Sequence, residues 1–395
     1  MQARYDLILR GGRILDPAQN RDERCDVALA EGRVAAVAPE LPPGQAAREL
    51  DCVGKLVTPG LIDLHGHAYW GGTMLGILPD PLCNHTGVTT FVDAGSAGAD
   101  NFLGLRHFIL EPARVRVLPF LHICSIGLVN QGVGELLDNR YASIEKVVRT
   151  VEAHRDVIGG LKVRLGGWIS GANTEAGFAA ACQARDTVGL PLMVHVGGQP
   201  LPLEAILDRL KPGDILTHAF HGHANGLLGP LGPAARPDWL EDGRSGAVIP
   251  AARAAREHGV LIDVGHGSGS FSFAVARRAL EQGFPPDTIS TDIYNANVNG
   301  PVFDLPTTLT KFLALGMALP EVIRCVTANS AAALAHCPRA AGIGMLQPGA
   351  PADVAVLEWE EGEFTLVDAH RQTLPTNRRL VVRYTIQGGQ IVGGA

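Results

Sequence analysis

Hydrophobic and polar positions follow one pattern at the two ends of the chain and a different pattern between them. In the first 57 residues, short stretches of alternating apolar and polar residues stop at turns that contain glycine. Similar stretches stand near the C-terminus, at 352–357, 380–386 and 390–392. Such alternation is typical of β-strands, and neither end is long enough to bury a good core alone. We therefore predict that residues 1–57 and 343–395 form one small β-sandwich domain.

Between these ends, apolar runs of strand length alternate with segments of helical period. The predicted strands are 61–65, 89–94, 115–123, 160–165, 191–196, 214–219, 260–264 and 288–292. The predicted helices are 101–110, 144–157, 174–188, 203–210, 250–258, 271–282, 305–315 and 321–335. Eight such units predict an α/β fold, a (β/α)8 TIM barrel over residues 58–342. An open doubly wound sheet is the alternative, but no GxGxxG motif follows the first strand. The Pro- and Gly-rich stretch 229–237 predicts a long loop.

Polar residues that carry chemistry stand at the ends of the predicted barrel strands. The first strand leads to His65 and His67, the fifth to His195, the sixth to His218 and the eighth to Asp292. The carboxyl ends of all barrel strands meet at one rim, where catalytic groups collect. A single histidine there is more often structural, and a single aspartate is more often a helix cap. Their joint placement on four strands favours a metal site.

Lys162 lies inside the predicted fourth strand, and lysine is rare in this chain. The sequence has 33 basic residues, of which five are lysine and 28 arginine. Because arginine supplies most surface cations here, a lysine in an apolar strand needs a reason of its own. One interpretation places Lys162 in the metal site, and another pairs it with Asp292 without any metal.

Composition narrows the classes of partner. The formal net charge of −7 disfavours a nucleic-acid partner. No stretch approaches the roughly 18 apolar residues of a membrane span. Residues 1–12 carry charges and no apolar region before a small-residue cleavage site, so we expect no secretory signal. Seven cysteines without a CxxC motif suit reduced thiols, and the predicted location is the cytoplasm.

The set of motifs resembles the amidohydrolase superfamily across nearly the whole chain. The matching stretches are 58–63 before the first histidine pair, the six rim residues above, and 344–355 (GMLQPGAPADVA). The resemblance implies two divalent metal ions, with zinc as the first expectation. It implies that His65 and His67 hold the more buried ion and that His195 and His218 hold the more exposed one. Asp292 would bind the buried ion and act as the base.

The same resemblance implies that Lys162 is N6-carboxylated and bridges both ions. A protonated ammonium group between two dications would be repelled, whereas a carbamate is an anion with two oxygens. Arginine keeps its charge and could not be modified in this way. The implied reaction is hydrolysis of an amide, ester or cyclic amide by metal-activated hydroxide.

Longer stretches resemble one branch of the superfamily, whose members are often named dihydroorotase or deacetylase. They are 87–96, 162–165, 263–273 and 299–308. Members of this branch resemble one another in hydrolysing O-acyl α-hydroxy acids or N-acyl-D-amino acids, which are small anionic substrates. Dihydroorotases usually carry an arginine two residues after the second histidine, where this chain has Tyr69. We therefore predict an esterase or deacetylase acting on a small α-substituted carboxylate.

Four further residues near the rim are candidates for binding the substrate: Arg164, Tyr69, His266 and Tyr294. An outward salt bridge or a loop contact is the alternative for each. A cyclic-amide hydrolase, dihydroorotase-like or hydantoinase-like, is the alternative activity. A barrel that binds without catalysis is the alternative of another class, although such a protein is expected to lack some of the six ligands. The oligomeric state stays open, and a homo-oligomer is one option.

Overall fold

The computed structural model describes residues 4–229 and 246–394. Its strands are β1 (Tyr5–Asp16), β2 (Arg21–Ala30), β3 (Arg33–Ala38), β4 (Ala46–Asp51), β5 (Leu56–Pro59), β6 (Leu61–Gly66), β7 (Val88–Gly98), β8 (Arg116–His122), β9 (Gly160–Arg164), β10 (Leu192–His195), β11 (Ile215–Thr217), β12 (Leu261–Ile262), β13 (Val354–Val367), β14 (Thr373–Gln387) and β15 (Gln390–Gly394). The predicted loop 229–237 lies outside the described residues except for its first position.

The helices lie between the strands of the central region and after them. They are α1 (Pro79–Cys83), α2 (Phe102–Leu105), α3 (Ile144–Ala153), α4 (Gly167–Ser170), α5 (Thr174–Val188), α6 (Leu203–Leu207), α7 (Pro250–Glu257), α8 (Phe273–Glu281), α9 (Leu305–Ala314), α10 (Leu319–Cys325) and α11 (Ala328–Ala333). A π-helical turn, Arg106–Leu110, follows α2. No helix of these described ranges has the length and apolarity needed to cross a membrane.

Strands from both termini pair in one sheet. Its order is β15-β14-β13-β5-β1-β2-β3, and β4 pairs with β1 beside this path. Two-residue turns join the hairpins β2–β3 and β14–β15: Glu31 and Gly32 have φ values of 51° and 71°, and Gly388 and Gly389 have 53° and 80°. Two successive positive φ values fit the turn type whose twist matches a hairpin. The segments of alternating apolar and polar residues at the two ends of the chain therefore form strands of one shared sheet.

Both faces of this terminal sheet are apolar. Leu7, Leu9 and Val27 belong to one buried cluster, while Ile8 and Ala28 belong to another. Successive side chains of a strand point to opposite faces, so β1 contributes to both clusters. The strands nevertheless pair within one branched sheet, and the expected two-sheet sandwich is not confirmed. Strand β5 spans the boundary predicted after residue 57, so the proposed domain limits stay a prediction.

The central region forms a curled parallel sheet in the order β12-β11-β10-β9-β8-β7-β6. One apolar cluster, which includes Ile62, Val92, Leu118 and Met193, fills its inside. A larger cluster joins the outer strand residues Val163 and Val194 to the helices. This two-layer burial explains why the strands read as continuous apolar runs.

The eighth predicted strand closes this sheet without forming a regular strand. Asp263 and Thr288 form an isolated parallel bridge on one side, and Gly66 and Ile293 form another on the other side. The segment 288–293 turns away at Asp292, whose φ is 47°. The curled sheet therefore has seven regular strands and an irregular eighth segment that carries a candidate ligand.

Most helices lie where the pattern predicts them, and the differences have local causes. Helix α5 has the predicted bounds and ends at Gly189, which adopts the left-handed conformation with φ 68°. The predicted helix 321–335 is instead two helices, α10 and α11, separated at Thr327. The Thr327 hydroxyl donates to the Ile323 carbonyl at 2.6 Å, and such local bonds compete with a continuous helix.

Candidate metal centre

The barrel brings the predicted ligands together at the carboxyl ends of its strands. Asp292 Oδ1 lies 3.3 Å from His65 Nε2 and 3.1 Å from His67 Nε2. Asp292 Oδ2 lies 4.0 Å from His218 Nε2. Possible ligand atoms of His65, His218 and Asp292 all lie within 4.8 Å of one another. The His195 ring packs against the His218 ring, with centroids 4.2 Å apart.

Hydrogen bonds behind His65 fix which of its ring nitrogens carries the proton. The Thr217 hydroxyl donates to the Asp263 carboxylate at 2.7 Å, so its oxygen accepts from His65 Nδ1 at 2.9 Å. His65 Nε2 then keeps its lone pair and faces Asp292. Thr288 and Ser290 also donate to Asp263, each at 2.7 Å. This chain of bonds orients a ring as the outer partners of metal ligands do.

His218 shows the same orientation more directly. Its Nδ1 lies 2.5 Å from the Gly265 carbonyl, which can only accept, so Nδ1 carries the proton. Its Nε2 is buried and has no hydrogen-bond partner. Burial lowers the pKa of His218 to about 4, which keeps the ring neutral. A neutral imidazole with an unpaired Nε2 fits a divalent cation.

Lys162 is fully buried inside this ring of side chains. Its Nζ lies 3.1 Å from His65 Nε2 and 3.3 Å from the Met193 sulfur. A Cβ at Gly95 would lie 2.5 Å from the Lys162 Cβ, so only glycine leaves room for the lysine stem there. Burial lowers the pKa of Lys162 to about 7, so a large share of the amine is neutral near neutral pH.

Asp292 has an unusual backbone and a charged side chain. Its φ of 47° lies in the left-handed region, which a non-glycine residue adopts only when its surroundings hold it. The Asp292 N–H donates to the His65 carbonyl at 2.6 Å, and the Asn297 amide donates to the Asp292 carbonyl at 2.8 Å. Burial opposes the charge, but the His67 hydrogen bond and nearby His218 keep the pKa of Asp292 below its usual value.

A cavity of about 190 Å³ opens over these residues. Its lining includes five of the six predicted ligands, and His218 is the one that is not part of it. The lining residues are His65, His67, Leu75, Gln131, Lys162, Arg164, Trp168, His195, Gly197, His223, Ser268, Gly269, Ser270, Asp292 and Tyr294. The cavity is therefore polar at its floor and aromatic on one wall.

Two of the four predicted substrate-binding residues line this cavity. Arg164 is buried, and its guanidinium bonds to Glu135 at 2.9 Å and lies 5.3 Å from the Trp168 ring centroid. The second carboxylate oxygen of Glu135 has no partner. Tyr294 donates its hydroxyl to Ser268 at 2.7 Å. A cation and a hydroxyl thus stand on the cavity wall beyond the candidate ligands.

The structure does not bring Tyr69 and His266 to the cavity. The Tyr69 hydroxyl donates to the Asn101 carbonyl at 3.0 Å, in the apolar layer between sheet and helices. His266 is fully buried, and its Nε2 lies 2.8 Å from the Nζ of Lys311. Both positions are near the rim in sequence, but their side chains point into the protein.

The sequence also leaves some wall residues unassigned. Trp168 follows two glycines after β9, and a large aromatic residue after a barrel strand is a signal that could have identified it. Glu135 and Gln131 lie in the long connection between β8 and α3, where no periodic pattern marks them. His223 follows β11, is near the rim in sequence and lines the cavity.

The fold and this cavity define a barrel enzyme with a candidate metal centre at the carboxyl ends of its strands. The chain belongs to the amidohydrolase family, whose sequence profile matches residues 56–392. Members of this family use divalent metal ions, and the histidine and aspartate donors here fit that use. The predicted superfamily is therefore confirmed, and the chain is a hydrolytic enzyme of this metal-dependent family.

Relatives match the chain over almost its full length. A protein named deacetylase from Brucella anthropi is 32% identical over 99% of this chain and 93% of its own length. The crystal structure of an adenine deaminase has a TM-score of 0.87 at 32% identity, covering 98% of this chain and 99% of that one. The crystal structure of a dihydroorotase has a TM-score of 0.85 at 31% identity, with the same coverage. These names differ, so they establish a family and leave the substrate to the site.

Proposed function

We propose that this chain removes an acyl group from a small α-substituted carboxylate, either an O-acyl α-hydroxy acid or an N-acyl-D-amino acid. The observation that carries the proposal is the pairing of two features in one cavity. The floor holds a set of imidazoles with a carboxylate, and the wall holds the buried cation Arg164. A substrate with a hydrolysable carbonyl at one end and a carboxylate at the other fits this layout.

The candidate ligands divide into two groups around Lys162. His65, His67 and Asp292 would hold one ion, and His195 and His218 would hold the second. The neutral Lys162 amine can take up carbon dioxide and release one proton, which yields a carbamate whose two oxygens would bridge the ions. Divalent ions bound there would supply an activated water and polarise the acyl carbonyl.

Asp292 is the proposed general base. Its carboxylate is the one acidic side chain that lines the described cavity, and its low pKa keeps it able to accept a proton near neutral pH. It would take the proton from the attacking water and deliver it to the leaving nitrogen or oxygen. The left-handed backbone fixes the carboxylate between the imidazoles during this transfer.

Arg164 is the proposed anchor for the substrate carboxylate. Its ion pair with Glu135 and its stacking on Trp168 fix the guanidinium plane while leaving it on the cavity wall. Holding both ends of the substrate leaves the α-substituent one direction that avoids a clash. We therefore expect a preference for one enantiomer, and 3 kcal/mol of discrimination corresponds to roughly a hundredfold difference in kcat/KM.

One preparation of metal-replete protein can test this proposal. Both enantiomers of O-acetyl-mandelate, a pair of N-acetyl amino-acid enantiomers and dihydroorotate are assayed side by side, and bound metal is counted by elemental analysis. We expect hydrolysis of one enantiomer from at least one acyl pair and poor turnover of dihydroorotate. Efficient hydrolysis of dihydroorotate with no acyl turnover would replace the proposal with a cyclic-amide hydrolase, which the 31% identical dihydroorotase structure makes the second candidate. Protein without metal and without turnover would indicate a binding protein.

A further inference from the structure

A second lysine is buried behind the candidate metal centre, outside the cavity lining. Lys311 lies on α9 and is fully inaccessible to solvent. Its Nζ donates to the Pro301 carbonyl at 2.8 Å and lies 2.8 Å from His266 Nε2. The polar partners of this lysine thus come from two different segments, one before and one after Asp292 in sequence.

The His266 tautomer is fixed by the backbone. His266 Nδ1 lies 2.9 Å from the Gly267 carbonyl, so Nδ1 carries the proton and Nε2 accepts from Lys311. The ring also packs against Phe271, with centroids 4.7 Å apart. The imidazole therefore has one fixed orientation and one fixed donor, and it links Lys311 to the segment 265–267.

The first path from Lys311 reaches the side chain of Asp292. The segment 265–267 pairs with the segment that carries Asp292, since the N–H groups of His266 and Gly267 donate to the carbonyls of Ser290 and Thr291 at 3.1 and 2.9 Å. A Cβ at Gly267 would lie 2.5 Å from Asp292 Oδ2. The backbone of Gly267 is thus the wall against which the carboxylate rests.

The second path reaches the backbone of Asp292. Pro301, which accepts from Lys311, follows Gly300, whose N–H donates to the Asn297 carbonyl at 2.9 Å. The Asn297 amide in turn donates to the Asp292 carbonyl at 2.8 Å. Lys311 therefore supports the strained residue from both sides.

We propose that Lys311 and His266 are positioning residues that form a buried brace for Asp292. The brace holds Gly267 against the Asp292 carboxylate and holds Asn297 on the Asp292 carbonyl. A left-handed aspartate persists only where its surroundings over-determine its conformation, and the brace supplies part of that constraint. The proposal rests on the proposed function for its effect on turnover, but the constraint itself is a property of the chain.

The test compares Lys311→Met with Thr310→Val, which lies on the same helix. The Thr310 hydroxyl accepts from the Leu380 N–H of the terminal sheet at 3.0 Å and donates to the Pro306 carbonyl at 2.9 Å, so its loss removes two buried hydrogen bonds away from Asp292. In Lys311→Met, we expect faster hydrogen exchange across residues 290–300 and about 10–100-fold weaker Co²⁺ binding to the metal-free protein. On the preferred acyl substrate, kcat should fall about tenfold to a hundredfold with little change in KM. Thr310→Val should leave all three properties unchanged.

Two further variants keep the test decisive. Lys311→Gln retains a donor for His266 and serves if Lys311→Met does not fold, and it should recover part of kcat. The double variant His266→Phe with Lys311→Met removes both members of the brace. Because the two residues act together, the kcat of the double variant should be no lower than the kcat of the slower of the two single variants, His266→Phe or Lys311→Met.

Unchanged exchange across residues 290–300 and unchanged Co²⁺ affinity in Lys311→Met would overturn the brace. If the wild-type protein bound no Co²⁺ and hydrolysed no acyl substrate, the proposed function would fall, and the exchange comparison would still decide the brace.

Discussion

The two buried lysines of this chain share a chemistry and differ in what surrounds them. Lys162 and Lys311 are both fully buried, and each lies beside the Nε2 atom of a histidine, at 3.1 and 2.8 Å. Burial lowers the pKa of both to about 7. Lys311 also has a carbonyl partner and does not line the cavity over the candidate metal centre, whereas Lys162 has a thioether partner and lines that cavity.

The polar groups around Lys311 are hydrogen-bonded within the protein, whereas those around Lys162 keep unused hydrogen-bonding capacity. A buried polar group costs free energy unless its hydrogen-bonding capacity is met. Around Lys311 that capacity is largely met by the protein itself. Around Lys162, the Nε2 atom of His218 is unpaired and the lysine amine contacts a thioether, so the protein leaves polar capacity for bound groups. Such local conflict is typical of functional sites.

Among the substitutions that test this comparison, removal of the Lys162 amine should have the largest effect on metal content and turnover. In Lys162→Ala we expect metal content to fall toward one ion or none per chain and turnover to be lost, because the proposed bridging anion would be missing. Short carboxylic acids should restore part of the activity by standing in for the carbamate. Elemental analysis and turnover measure both effects, and Lys211→Ala, at an exposed lysine, is the control. Full metal occupancy with normal turnover would remove Lys162 from the bridge.

Asp292→Asn tests the proposed proton acceptor at the same site. The amide is nearly isosteric and keeps an oxygen, but it cannot accept the proton, so kcat should fall by about 10²–10⁴. Thermal unfolding of the metal-free variant should change far less than turnover does. Asp208→Asn, at the end of α6, provides the matched control. A variant that binds metal and keeps the wild-type kcat would show that another group takes the proton.

Arg164 combines the features that distinguish the two lysines, because it is a buried cation that has a protein partner and also lines the cavity. Arg164→Met should raise KM for the acyl carboxylates about tenfold or more, since a charge-assisted hydrogen bond contributes about 1.5–3 kcal/mol. The partner Glu135 would then be left buried without a counter-charge, so Arg164→Met combined with Glu135→Gln controls for lost stability. An unchanged KM in the double variant would place the carboxylate anchor elsewhere.

The sequence predicts the first lysine site well and the second poorly. Lys162 is conspicuous because it interrupts an apolar strand in a chain that otherwise uses arginine. Lys311 falls in a predicted helix, where a lysine usually faces solvent, but the folded chain buries its side chain beside His266 and the Pro301 carbonyl. His266 is predicted to face the substrate because its neighbours are near the rim. The partner that turns it inward lies 45 positions away, at Lys311.

The barrel strands follow from local pattern, but two features of the fold do not. The eighth strand is irregular because the backbone turns at Asp292, and no apolar pattern specifies a left-handed aspartate. The terminal strands are predicted as strands, but their joining into one branched sheet depends on pairing between β5 and β13, which are almost 300 residues apart. Periodicity reports the buried face of a strand and carries no information about its partner.

Lys311 allows the test with the smallest expected effect. The protons that this lysine releases on folding can be measured in metal-free protein, from the pH dependence of the free energy of unfolding. The groups that face it are His266, whose pKa burial holds well below its usual value, and the acidic residues Asp304 and Asp368, whose attraction opposes the burial. The folded-state pKa is about 7, against 10.5 for an unperturbed lysine. Between these values the unfolded chain binds more protons than the folded one, so the free energy of unfolding should rise with pH.

The contribution of one such group is at most about 1.4 kcal/mol per pH unit. Denaturant unfolding of metal-free wild-type protein and of Lys311→Met at pH 7.5 and 9.5 should therefore give a smaller rise in the variant, because methionine has no proton to exchange. Below pH 7 the lysine is protonated in both states, and the difference between the two proteins should stop changing. Parallel curves between pH 7.5 and 9.5 would show that Lys311 keeps its proton in the folded protein. His266 would then accept from a full ammonium group, and the two buried lysines would differ in charge as well as in partners.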